Sequence, residues 1–159
     1  MSQYKLIIFD FDGTLAITHN AIISCITKTF EKFLLVPPTA DLIRSTIGIN
    51  LAKTFQILHP ALEATEIPLW VETYRDYYRT EGEKQLALFS GTTQILELSK
   101  QAELTLGVLS NKQLNFVNLF LERLTIYSFF DLIIGDDGEM VQKPDPTVFY
   151  IVSGCIGMI

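Results

Sequence analysis

The sequence is poor in cysteine, histidine and tryptophan. Its 159 residues include two cysteines, two histidines and one tryptophan. Cys25 and Cys155 stand far apart, without the paired spacing of a zinc site or the density of a disulfide scaffold. These shortages exclude the disulfide-rich and zinc-finger classes, and a reducing cytoplasm is the expected location.

Positive charge and long apolar runs are also scarce. Twelve lysines and arginines stand against 18 aspartates and glutamates, which gives a formal net charge of −6. A nucleic-acid backbone is therefore not an expected partner. The apolar run of residues 6–9 is too short to span a bilayer or to act as a secretory signal, and no basic segment precedes it. No association with a membrane is expected.

Hydrophobic residues make up 48% of the chain, enough for a substantial core. Apolar runs predict strands over residues 4–9, 104–109 and 132–134. Helices are predicted over 91–100 and 112–121, between these strands. Strands that alternate with helices indicate a parallel α/β sheet, in which ligands bind beyond the carboxyl ends of the strands.

The segment between the first two of these strands has helical periodicity and no convincing strand over residues 16–85. The predicted helices are 18–35, 39–47, 50–58 and 64–81. The last of them carries an aromatic stripe of Trp70, Tyr74, Tyr77 and Tyr78. A helical core is the favoured interpretation of this stripe, and an aromatic substrate box is the alternative. We therefore predict an inserted helical domain, residues 16–87, in a core of residues 1–15 and 88–159.

The string Asp10-Phe11-Asp12-Gly13-Thr14 follows the first predicted strand directly. Two carboxylates at a strand end can hold a cation and attack phosphorus, and Gly13 permits a sharp turn. The alternative is an ordinary Asp-Gly turn whose acids are solvated or cap the next helix. The strand, turn and helix context favours the chemical interpretation.

Two further segments carry candidate chemistry. Ser110-Asn111-Lys112 closes a predicted strand and opens a helix, where a hydroxyl and free N–H groups can bind an anion; a plain helix N-cap is the alternative. Lys143-Pro144-Asp145-Pro146 precedes a predicted helix that Asp145 would cap. Lys143 is then either a surface charge or a site residue.

In order along the chain, these three segments resemble motifs I, II and III of the haloacid dehalogenase superfamily. The resemblance implies that Asp10 is the nucleophile, that Asp12 is the general acid and base, and that Ser110 holds the transferred phosphoryl group. It further implies that the Lys143 ammonium offsets negative charge. The second aspartate favours phosphoryl transfer over carbon–halogen cleavage. The implied phosphate-binding residues are Gly13, Thr14, Ser110 and Asn111.

The resemblance is closest to the phosphoglycolate-phosphatase-like and β-phosphoglucomutase-like members. It implies a Rossmann-like parallel sheet core with an inserted α-helical cap, which closes over a small phosphorylated substrate. Arg44, Lys53 and His19 are the candidate substrate contacts in the cap, with a solvated charge as the alternative for each. His59 is interpreted as structural.

In this family Mg²⁺ is held by the first aspartate, the backbone carbonyl of the second, and acids of a fourth motif that follows motif III. Asp10 and Asp12 are the matching metal residues, and residues 147–159 contain no acid. Asp136 and Asp137 precede Lys143 and do not match the fourth motif, although either could line the site. The expectation is thus a core truncated before motif IV, with the first strand at an exposed edge that invites dimerisation.

Three functions remain open from the sequence. The first is a Mg²⁺-dependent phosphatase of a small phosphorylated metabolite that works through an aspartyl-phosphate. The second is a phosphomutase of a sugar phosphate, which would share Asp10, Asp12, Ser110 and Lys143. The third is a catalytically inactive remnant that binds phosphate or a protein, because function resides in a completed site and not in a fold.

Overall fold

The computed structural model describes residues 4–138 and 141–155; the predicted core ranges extend beyond them at both ends. Strands are β1 (Leu6–Phe9), β2 (Ala16–Ile17), β3 (Ala87–Leu88), β4 (Thr105–Gln113) and β5 (Leu132–Asp136). Helices are α1 (His19–Lys32), α2 (Ala40–Arg44), α3 (Leu51–Leu58), α4 (Ile67–Thr80), α5 (Thr92–Gln101), α6 (Leu114–Arg123) and α7 (Thr147–Cys155), with 3₁₀ turns at Gly82–Gln85 and Tyr127–Phe129. In this part of the chain no helix is long and apolar enough to cross a membrane.

The main sheet has the strand order β1-β4-β5, and both pairings are parallel. Leu6 pairs with Thr105 and Gly107 pairs with Leu132, so the carboxyl ends of all three strands meet at one edge. The central strand β4 is buried from Leu106 to Ser110, whereas β1 is half-buried because it lies at the edge of the described sheet. This arrangement confirms the predicted parallel α/β class.

The end of β4 differs from the prediction. The sequence indicates a strand that stops at residue 109 and a helix from residue 112, but β4 continues to Gln113 and α6 begins at Leu114. The register shifts after the Leu109–Ile134 pair and resumes where Gln113 pairs with Asp136. The renewed pairing keeps residues 110–113 extended, because a helix there would break the ladder.

The chain divides into two compact units. One, the core unit, consists of Met1–Ala16 and Leu88–Ile159, and the other, the helical unit, is Ile17–Ala87. In the core unit, Val148 and Val152 of α7 pack with Leu109 and Ile134 of the sheet. Burial of such apolar surface is the main term that stabilises a sheet covered by helices. That the helical unit serves as a cap stays a prediction.

The helical unit has an aromatic core of its own. The Trp70 ring lies 4.5 Å from Phe33 and 5.0 Å from Phe30, measured between ring centroids. His59 stacks on the same indole at 5.6 Å, in agreement with its structural interpretation. Of the aromatic stripe on α4, Trp70, Tyr74 and Tyr78 are buried and Tyr77 is half-buried. The stripe is therefore mainly core, as the helical spacing indicates.

Two short strands were not foreseen. β2 pairs with β3 in a two-stranded sheet, at the residues where the chain passes from one unit to the other. The expectation that residues 16–85 contain no strand is thus wrong at its first residues. A two-residue strand is too short to show any periodicity in a sequence.

Candidate functional site

A tight turn follows β1 and presents the two aspartates of the first motif. The carbonyl of Phe11 accepts three backbone N–H groups of the turn, and Gly13 adopts a φ of 77° that favours glycine. The Phe11 side chain is fully buried and stacks on Phe120, with 6.1 Å between ring centroids. Asp10 and Asp12 therefore flank an anchored residue, which fixes the backbone that carries both carboxylates.

Lys143 contacts Asp10 directly. Its Nζ donates to Asp10 Oδ1 at 2.8 Å and to the carbonyl of Leu109 at 2.9 Å. The Phe11 N–H donates to the same Oδ1 at 2.8 Å. In the described part of the chain Oδ2 of Asp10 accepts no hydrogen bond, so one carboxylate oxygen is oriented and the other is available. Lys143 is not a mere surface charge.

Asn111 holds the backbone of Lys143. Its Nδ2 donates to the Lys143 carbonyl at 2.8 Å, and the Lys143 N–H donates to Asn111 Oδ1 at 2.9 Å. This amide thus joins the end of β4 to the loop before α7. That Asn111 contacts phosphate stays a prediction. Because its side-chain amide binds the Lys143 backbone, such a contact would be made by the Asn111 backbone N–H.

Ser110 lies at the same sheet edge. The residue is only 5% exposed, and its Oγ accepts the N–H of Lys112 at 3.2 Å. Because α6 begins at Leu114, the alternative that Ser110 is a helix N-cap is wrong. The hydroxyl follows Leu109, whose carbonyl binds the Lys143 ammonium, and this neighbourhood suits a ligand of the transferred phosphoryl group.

Lys112 is a residue of the site that the sequence reasoning missed. Its Nζ lies 3.2 Å from Asp12 Oδ2, and the two side chains are 11% and 9% exposed. The residue spacing was an available signal: Asp10 and Asp12 are two residues apart, and so are Ser110 and Lys112. In extended backbone this spacing places both side chains of a pair on one face. Asp12 Oδ1 is buried and has no hydrogen-bond partner within residues 4–138 and 141–155.

The end of β5 lies beside the end of β4. A small pocket lies there, and its lining includes Ser110, Asn111 and Asp136. Gly135 also lines it and approaches the start of α6 closely, since a Cβ there would lie 2.6 Å from the Cα of Leu114. Asp136 therefore does line this edge, and Asp137 is exposed.

Asp145 caps the helix that follows Lys143. The Thr147 N–H donates to its Oδ1 at 2.8 Å. The Thr147 hydroxyl and this N–H hold the pKa of the Asp145 carboxyl below its usual value. The predicted cap is confirmed, and α7 begins at Thr147.

The remaining candidates are spread over both units. Gly13 and Thr14 are exposed, and their N–H groups donate within the turn. Arg44 is exposed in the helical unit and pairs with Asp41 at 3.2 Å. Lys53 is exposed on α3, and His19 is half-buried at the start of α1. Substrate contacts by Arg44, Lys53 and His19 stay predictions.

Asp10 and Asp12 suit Mg²⁺ in part. The Asp10 carboxylate and the backbone carbonyl of Asp12, which the resemblance pairs at the metal, are hard oxygen donors of the kind that Mg²⁺ prefers. Residues 4–138 and 141–155 nevertheless contain no group of three histidine, cysteine, aspartate or glutamate side chains that could hold a metal ion. The described residues would supply some of the oxygen ligands of an octahedral Mg²⁺ site, but not all of them.

Comparison with known proteins gives concordant matches. The family model described as "Haloacid dehalogenase-like hydrolase" matches residues 7–153. Among curated proteins, "Probable phosphatase IndB" of Dickeya dadantii is 31% identical over 96% of this chain, and "Pyrophosphatase PpaX" of Listeria welshimeri is 29% identical over 88%. A solved structure of a predicted phosphoglycolate phosphatase from Haemophilus somnus superposes on 99% of the chain, with a TM-score of 0.89 and 25% identity.

The coverage of these relatives is partial. The chain spans 67% of the Dickeya protein, 63% of the Listeria protein and 74% of the solved Haemophilus chain. The matched residues include the turn after β1, the end of β4 and the Lys143 loop, which together form the site described above.

Proposed function

The chain belongs to the haloacid dehalogenase-like hydrolase family, and from this premise we propose that it carries the phosphoryl-transfer site of a phosphatase for a small phosphorylated metabolite. The observation that carries the proposal is the Lys143 ammonium, which binds Asp10 Oδ1 and the carbonyl next to Ser110. A cation in this position orients a nucleophilic carboxylate and offsets the charge of a phosphoryl group beside it.

In the first step Asp10 attacks. Its Oδ2, which accepts no hydrogen bond from the described residues, forms a bond to phosphorus while the bond from phosphorus to the leaving oxygen breaks. The product is an aspartyl-phosphate, which splits hydrolysis into two easier steps. The Ser110 hydroxyl donates to a phosphoryl oxygen, and Lys143 keeps the transferred group close to a positive charge.

Asp12 moves the proton in both steps. In the first step its carboxyl gives a proton to the leaving oxygen, which retains the electron pair of the broken bond. In the second step the carboxylate takes a proton from a water molecule as that water attacks phosphorus, and the bond between phosphorus and Asp10 breaks. Asp10 and Asp12 then return to their starting states.

Mg²⁺ is the proposed cofactor, with Asp10 and Asp12 as the residues that would hold it. When bound, it would offset the negative charge of the phosphoryl group as it is transferred. Because the described donor set is incomplete, no step above is assigned to the ion.

The substrate class and location are proposals of the same kind. The relatives are named as a phosphatase and a pyrophosphatase, and the structural neighbour as a phosphoglycolate phosphatase. We propose a small anionic phosphate ester in the cytoplasm, with Arg44, Lys53 and His19 as the side chains to substitute first when substrate preference is mapped.

The proposal is tested by phosphate release from a panel of small phosphate esters, with Mg²⁺ and with excess chelator. Wild type is expected to release phosphate with Mg²⁺, and Asp10→Asn to release none above background. Asp76→Asn is the matched control, because Asp76 is exposed on α4, where it pairs with Arg79. Equal release by wild type and Asp10→Asn would contradict the proposal.

The same assay separates the alternatives. Isomerisation of a sugar phosphate in place of phosphate release would favour the phosphomutase. No release by wild type from any ester, with phosphate still bound in calorimetry, would favour the binding remnant.

A further inference from the structure

The ion pair between Lys112 and Asp12 is unlike the surface pairs of this chain. Its two side chains are 11% and 9% exposed, whereas those of Lys100 and Asp131 in the same unit are 33% and 44% exposed. Removal of two charges from water carries a large desolvation cost, and apolar side chains of similar size often serve stability as well. Stability is therefore a weak explanation for a charged pair at this position.

Packing fixes the position of the Lys112 ammonium. Its Nζ lies 5.8 Å from the centroid of the Phe120 ring, and Phe120 stacks on Phe11, the residue between the two aspartates. The backbone of Lys112 is fixed too, since its N–H donates to Ser110 Oγ. The ring contact thus ties the ammonium, through Phe120 and Phe11, to the turn that carries Asp12, and the contact with Ser110 fixes the Lys112 backbone within β4.

The two oxygens of Asp12 have different surroundings. Oδ2 faces the Lys112 ammonium at 3.2 Å, and Oδ1 is buried without a hydrogen-bond partner among the described residues. An aspartate side chain has two rotatable bonds, and one ionic contact at one oxygen restricts both. The contact at Oδ2 therefore determines where Oδ1 points.

We propose that Lys112 is a positioning residue for Asp12: its contact at Oδ2 fixes the orientation of the carboxyl that delivers the proton to the leaving oxygen. This inference rests on the proposed function. As the bond from phosphorus to the leaving oxygen breaks, the proton passes from the Asp12 carboxyl to that oxygen. The negative charge that forms on the Asp12 carboxylate lies beside the Lys112 ammonium, and the reverse transfer from water restores the acid.

The dependence of the rate on the leaving group distinguishes this positioning role from a purely structural one. An alkyl phosphate leaves as a basic alkoxide and needs the proton, whereas p-nitrophenyl phosphate leaves as a weakly basic phenolate and does not. The first step alone depends on the leaving group, so it is measured in a single turnover. Lys112→Met is expected to lower the single-turnover rate of leaving-group release from glycerol 2-phosphate by about 100-fold, as a misplaced catalytic group does, and that from p-nitrophenyl phosphate by less than about threefold. Lys112→Arg should restore most of the alkyl activity.

Controls fix the interpretation. In the single-turnover measurement Asp12→Asn should show the same asymmetry between the two substrates, and Lys100→Met, which removes the half-buried lysine paired with Asp131, should leave both rates unchanged. An equal loss with both substrates in Lys112→Met would overturn the proposal, because it would indicate a phosphate ligand or general misfolding. If Lys112→Met does not fold by circular dichroism, Lys112→Gln is measured in its place with the same two outcomes.

A crystal structure of each variant tests the proposal without any measurement of activity. Asp12 is expected in one rotamer in wild type and in Lys112→Arg, and in a different rotamer or two conformers in Lys112→Met or Lys112→Gln. An unchanged Asp12 rotamer in the neutral variants overturns the positioning role. Wild type that hydrolyses neither substrate contradicts the proposed function alone, and the rotamer comparison then decides on Lys112.

Discussion

At the scale of single residues, the Lys143 ammonium is held from two directions. Its Nζ binds the carbonyl of Leu109, and its backbone is clamped on both sides by the amide of Asn111. A loop residue with a long side chain has many rotamers to lose on ordering. The clamp supplies the order that a catalytic cation needs, and it connects β4 to the Lys143 loop.

Asn111→Ala is expected to remove both hydrogen bonds and leave two backbone groups of Lys143 without that partner. The free energy of unfolding should fall by about 1–3 kcal/mol. Phosphatase activity should fall even where the variant stays folded, because the Lys143 backbone is no longer held by Asn111. Urea unfolding and kcat measured on the same preparation check this expectation. Asn115→Ala, at an exposed position on α6, is the control and should change neither quantity.

The sequence predicted the meeting of Asp10, Ser110 and Lys143 only through the resemblance and the rule that parallel strands place ligands at their carboxyl ends. It did not predict the partners of Lys112 and Asn111. Both partnerships depend on residues 110–113 remaining extended after a register shift in β4, and side-chain pattern alone does not reveal such a shift.

At the scale of elements, the residues that join β4 to α6 pack closely against Gly135 of β5. At Gly135 an added Cβ would meet the Leu114 backbone at 2.6 Å and the Lys112 carbonyl at 2.8 Å. Only glycine permits this approach, which brings the end of β4, with Ser110 and Lys112, against the strand that ends in Asp136.

Gly135→Ala is therefore expected to displace the start of α6 and the Lys112 backbone. The free energy of unfolding should fall by about 1–3 kcal/mol, as in other overpacked sites, with a loss of activity. Gly154→Ala is the matched control: Gly154 lies in α7 with nothing within 4 Å of its added Cβ, and alanine should stabilise the helix by roughly 0.5–1 kcal/mol. Chemical denaturation of both variants measures the difference, and equal behaviour would contradict the packing argument.

At the scale of the whole molecule, the alternation of strands and helices was sufficient to predict a parallel α/β core interrupted by a helical segment. The strand pair at the crossing points, β2 with β3, was not predictable because two residues carry no periodic signal. The apolar run of β1 does not say which side of the strand is paired, and the structure places β1 at one edge of the described sheet.

That edge carries a prediction for the chain in solution. In the described part of the chain the outer side of β1 has no strand partner, and such an edge invites pairing with another copy. The mass measured by light scattering should rise toward twice the monomer value as the concentration increases, and the amides of Ile8 and its neighbours in β1 should gain protection from hydrogen exchange. A constant monomer mass at all concentrations would contradict the prediction.

The central claim is that Asp10 becomes phosphorylated during turnover. Wild-type protein mixed with substrate and quenched in borohydride should contain homoserine at position 10, because borohydride reduces an aspartyl-phosphate to that alcohol. The peptide of residues around Asp10, sequenced by mass spectrometry, is expected to show this change at position 10 and not at Asp12, and Asp10→Asn should show none. Phosphate release without modification at position 10, or modification at position 12 instead, would contradict the account.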